Sequence, residues 1–128
     1  MNREISTNNA PPPFSNYAQA VEVPSSSRCI HVSGQVGLSQ TGELPADSEK
    51  QHELAWKNVI AIVESAGMAK TDIVEVWGIV RDHDEVPVYR GIRDRMLDGH
   101  RCVSTMLVCG LANPDWKVEI AVKACRAD

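Results

Sequence analysis

No stretch of this chain approaches the roughly 20 apolar residues that a bilayer crossing needs. Residues 1–9 are polar and lack the apolar core of a secretory leader. There is no Lys/Arg-rich run, and 13 basic residues stand against 17 acidic ones, a net charge of −4. An electrostatic footprint for nucleic acid is therefore not expected. Gly-x-Gly-x-x-Gly, the P-loop and Gly-x-Ser-x-Gly are all missing, as are internal repeats and low-complexity tracts. Four cysteines, at 29, 102, 109 and 125, make no CxxC pair. Their spacing fits neither a zinc ribbon nor a disulfide framework. Three lie in apolar runs, where a free thiol packs as a small hydrophobe. A reduced, cytoplasmic setting follows from that usage.

What is present is ordinary for one globular domain: 128 residues, 43% hydrophobic and 23% charged. A chain of this size buries roughly 65–70% of its unfolded surface, enough for a core without staples. Ala10-Pro11-Pro12-Pro13 cannot be helical, so residues 1–13 read as an extended arm of a single domain spanning 1–128. Ala18–Val23 and Arg28–Ser33 read as strands joined by the turn Pro24–Ser27, a hairpin. Asp47-Ser48 open a helix, with Gln51 in capping-box position, Ala55, Val59, Ile62, Val63 and Ala66 as its stripe, and Gly67 as its stop.

Asp72–Val80 is β-branched and predicts a strand. Glu85–Asp98 predicts a second helix with Val88, Ile92 and Met96 as its stripe. Cys102–Cys109 and Trp116–Cys125 predict two more strands. The order β-β-α-β-α-β-β implies a two-layer α+β domain with both helices on one sheet face. In the last strand Val118, Ile120 and Val122 face one way, and Lys117, Glu119, Ala121 and Lys123 the other. In the strand before it, the mixed face is Cys102, Ser104, Met106 and Val108. Such a face, too apolar to be wet and too polar for a core, marks a subunit contact in a closed homo-oligomer.

Candidate chemistry is sparse. His52-Glu53 opens like HExxH, but the second ligand position is Trp56, so no zinc site can form there. Asp82-His83-Asp84-Glu85 has metal-friendly types, yet acidic residues at a helix start are simply favourable there. Arg90, Arg93, Asp94 and Arg95 read either as a solvated helix face or as a planar anchor for a carboxylate. Glu119, mid-strand on the contact face, reads as a pairing with Lys117 or Lys123 or as a general base.

At these residues the chain resembles the Rid family, the YjgF-like reactive intermediate deaminases. The similarity runs from about residue 9 to residue 125. It rests on Asn9-Ala10-Pro11, Tyr17-x-Gln19-Ala20, Val32-Ser33-Gly34-Gln35 and Thr41-Gly42-Glu43. Ala61–Gly67, Asp72-Ile73-Val74 and Lys117-Val118-Glu119-Ile120 extend it. The resemblance implies a chorismate-mutase-like α+β fold and a homotrimer with clefts between subunits, with no cofactor or metal. In the deaminases, a strand arginine grips a carboxylate while a glutamate positions water for attack on an imine carbon. On this mapping Glu119 is the catalytic glutamate, and Tyr17 and Ser33 line the cleft. The chain departs from the family where the deaminases carry Pro-Ala-Arg-Ser. It reads Cys102-Val103-Ser104-Thr105, which places Ser104 at the arginine position, and Arg90 stands for the cleft asparagine. A hydroxyl replaces a bidentate fork poorly, so Arg90, Arg93 and Arg101 become the candidate anchors. Efficient hydrolysis of short 2-imino acids is then less expected than that of a longer dicarboxylate or aromatic-pathway intermediate. The alternatives are a non-catalytic module that binds a small anionic metabolite, and a specialised enzyme of condensation or tautomerisation in the same cleft.

Overall fold

The computed structural model describes residues 1–127. Six strands and two helices follow in the order β1 (Arg3–Ile5), β2 (Ala20–Glu22), β3 (Arg28–Val36), α1 (Ser48–Ser65), β4 (Ile73–Val80), α2 (Glu85–Met96), β5 (Val103–Val108) and β6 (Val118–Arg126). β3–β6–β4–β5 form a mixed four-stranded sheet, and β1–β2 form a separate antiparallel ribbon. The result is an α+β, chorismate-mutase-like domain.

The core lies between the helices and one sheet face. Ala55, Trp56, Val59 and Val63 of α1 meet Val76, Val80, Val118, Ile120 and Val122. The apolar alternation of β6 is seen as expected. Gly67, at φ +75°, ends the first helix, because a left-handed residue there carries no Cβ penalty. The second helix buries Tyr89, Ile92 and Arg93, so its inner stripe is set one position on from Val88 and Met96, which are only partly buried.

Several expectations are corrected. The hairpin of β2 with β3 does not form. Ser27 N–H donates to the Pro24 carbonyl at 3.0 Å, but β2 pairs with β1, Glu4 opposite Val21. The element order thus begins with an extra strand inside the arm, held by the Arg3–Glu22 ion pair at 3.1 Å. Gln51 is no cap residue. It is buried, its amide donating to the Pro45 carbonyl and accepting from Lys117 N–H. Cys29 and Cys125 form a disulfide across β3 and β6, 96 residues apart in sequence, where spacing gave no sign of a pair. Cys102 is a buried thiol raised by burial to about 11, whereas Cys109 is exposed rather than packed.

The faces of β5 are also exchanged. Parallel pairing puts Ser104, Met106 and Val108 opposite Val76, Gly78 and Val80, on the helix side. The bare side carries Leu107, 45% exposed, beside Trp77, 43% exposed. Both faces of this strand are partly apolar, so alternation alone could not orient it.

Between the helices, His52 is fully buried. Its Nε2 is 3.2 Å from Glu85 Oε1, which also accepts from the Ser48 hydroxyl. Burial holds the imidazole below its ordinary value, Glu85 opposing and Lys117 reinforcing that shift. The unfolded chain therefore takes up a proton near pH 6.5 that the folded chain refuses. Stability should be complete above that pH and fall as the pH drops towards the folded value. Urea midpoints between pH 7.5 and 5 should decline more steeply for the wild type than for His52→Gln; parallel curves would contradict this.

Candidate functional site

The arm reaches the edge of the sheet where α2 and β5 diverge. Ala18 N–H donates to the Cys102 carbonyl at 2.9 Å and bridges to Val103. Gln19 ties the proline segment down, its amide donating to the carbonyls of Thr7 (3.2 Å) and Pro11 (2.9 Å). These bonds fix Tyr17, whose hydroxyl accepts from Phe14 N–H at 3.1 Å.

Tyr17, Arg90, Arg93 and Ser104 thereby line one cavity of about 180 Å³, with Phe14, Ser15, Tyr89 and Met106. Arg93 is only 4% exposed. Its Nε donates to Asp94 at 3.0 Å, one Nη donates to the Ser15 hydroxyl at 3.3 Å, and the guanidinium lies 5.9 Å from the centre of the Tyr89 ring. Arg95, by contrast, is a surface residue paired with Glu53 of α1 at 2.7 Å. Tyr89 is fully buried, and burial is the main cause that raises its phenol, with Ser104 beside it acting the other way. A Cβ on Gly78 would stand 2.3 Å from the Tyr89 oxygen, so only glycine leaves that ring its seat.

Glu119 lies elsewhere. Its register partners are Ile79 and Val36, on the bare face of the sheet. β3 is irregular between Val32 and Gln35, and the carboxylate lies over Gly34, where an added Cβ would meet Oε2 at 2.0 Å. Ser33, exposed, is in the same bulge. Arg101 is in neither group. Its guanidinium is held by Glu4 at 2.8 Å and by the Tyr17 carbonyl at 2.8 Å, so it secures the arm from outside the cavity. Among the described residues, no cluster of three or more His, Cys, Asp or Glu could hold a metal ion, and no helix is long and apolar enough to cross a membrane.

Sequence reasoning did not single out Tyr89, Ser15 or Phe14. Gly34 stood in the Val32-Ser33-Gly34-Gln35 motif after a strand expected to end at Ser33, whereas β3 runs through it to Val36.

This α+β domain carries one carboxylate over a strand bulge on its bare sheet face and two arginines at a small cavity beside α2. The profile of the family described as endoribonuclease L-PSP matches residues 7–126, and the chain belongs to this Rid, or YjgF-like, family. It is similar to the 2-iminobutanoate/2-iminopropanoate deaminase of Escherichia coli K12, 32% identical over 130 residues that cover 98% of this chain and 99% of that one. It is also similar to the same organism's putative reactive intermediate deaminase TdcF, 30% identical over 131 residues, with 99% of each chain covered. Among solved structures it resembles YyfB of the Rid family from Yersinia pestis, with a TM-score of 0.86 at 25% identity and 98% of each chain covered.

Proposed function

We propose that this protein is a cofactor-independent hydrolase of a small imine or enamine acid, working as a homotrimer in clefts between subunits. The observation that carries this reading is the division of the candidate residues. One chain holds Glu119 and Ser33 on the bare sheet face, and Tyr17, Arg90, Arg93 and Ser104 on the helix side. Each group lacks what the other supplies, a proton acceptor or an anion handle. The partly apolar face with Trp77 and Leu107 gives the copies a surface on which to meet. The deaminase names of the relatives support the same chemistry.

In that cleft Arg93 would hold the substrate carboxylate by charge-assisted hydrogen bonds. Glu119 would accept a proton from water as its oxygen bonds to the imine carbon. The carbon–nitrogen bond then breaks, the protons pass to nitrogen, and ammonia and a 2-oxo acid leave. The measurement is ammonia release from imino acids generated in place, across a panel from 2-aminoacrylate to 2-aminomuconate. Background release throughout would overturn the reading. Ser104, in place of a charged anchor, favours one rival, a module that binds its metabolite without turnover; calorimetric binding with no ammonia would support it.

A further inference from the structure

We infer that the cleft takes a dicarboxylate, one carboxylate on Arg93 and the second on Arg90, an inference that rests on the cleft reading above. Burying a guanidinium is costly unless its donors are met. Arg93 is 4% exposed, yet among the described residues its acceptors are one oxygen of Asp94 and the Ser15 hydroxyl, for the five N–H donors the group carries. Its neighbour Asp94 is itself 44% exposed, so the charge is only partly offset inside the cavity. The remaining donors belong to a group that lines that cavity beside Ser104 and Tyr17. A planar fork presented this way matches one carboxylate.

Arg90 lines the same cavity and meets no acidic side chain among the described residues. It precedes Arg93 by three positions on α2, where side chains are neighbours, with Cβ atoms about 5–6 Å apart. No carboxylate lines the cavity. Two guanidinium groups without a lining counter-ion favour a ligand of two negative charges over a monoacid. The second group has no role for a short 2-imino monocarboxylate, so it sets specificity rather than mere affinity.

The test titrates the full-length protein by calorimetry with 2-oxoglutarate and with 2-oxopentanoate, product-like acids of equal chain length that differ by one carboxylate. The diacid should bind about tenfold tighter or more, the effect expected of one charge-assisted pair. Arg90→Ala, on an exposed side chain, should erase that preference while changing the monoacid about twofold or less. Arg93→Lys, which keeps charge but loses the fork, should weaken both acids by about tenfold. Equal binding of the two acids, or a preference that survives Arg90→Ala, would overturn the inference. Glu119→Gln should retain the preference. A wild type that prefers the diacid but releases no ammonia would sink the hydrolase reading and leave this one standing.

Discussion

Glu119→Gln should lower ammonia release by about 10²–10⁴-fold, the range for removing a positioned proton acceptor. The fold should survive. Among the described residues, the Glu119 carboxylate has no hydrogen-bond or ion-pair partner, so no buried pairing is broken. Glutamine fills the same space over Gly34 and cannot take the proton from water. The measurement is the initial rate with saturating imine, alongside the thermal midpoint and sedimentation of the variant. Activity within about threefold of the wild type would remove Glu119 from the chemistry. A lost rate with a changed assembly state would instead point to packing on the bare face.

The second large effect is on stability and concerns Gly78 and Tyr89. A side chain on Gly78 would meet the Tyr89 oxygen at 2.3 Å and ring carbon Cζ at 2.4 Å. That ring is wedged between Trp56, His52 and the Arg93 guanidinium. It cannot swing away as a flexible tip would. Gly78→Val should cost about 1–3 kcal/mol by overpacking, and Tyr89→Ala about 3–5 kcal/mol by emptying the site. Together they should cost clearly less than the sum, because valine occupies space the ring vacates. Urea denaturation of the two single variants and the double gives the coupling. Additive losses would mean that the two positions do not share one volume.

The helices and the four strands of the main sheet were legible because each carries its own period: 3.6 residues in α1, strict alternation in β6. β1 was not, since Arg3-Glu4-Ile5 offers one apolar residue, and its order comes from distant partners, Glu22 and Arg101. The orientation of β5 escaped for another reason. It is set by parallel pairing with β4, and its sequence permits either side. The candidate site was half legible. Glu119 stood out as a charge inside an apolar strand, and it lies where its alternation put it. The burial of Arg93 depends on Tyr89, one turn earlier on α2, and on Ser15, 78 positions away, of which no local pattern speaks. Arg101 carried the right charge, but its guanidinium is spent on Glu4 and the Tyr17 backbone.

Within one copy, the sheet itself stands as a wall between Glu119 and Arg93. On the proposed reading, a solitary chain could grasp an acid or ready a water, never both at one ligand. Turnover per chain would then fade on dilution as neighbours part. Mixing two crippled proteins, one altered at each residue, would regenerate some intact sites from their undamaged halves.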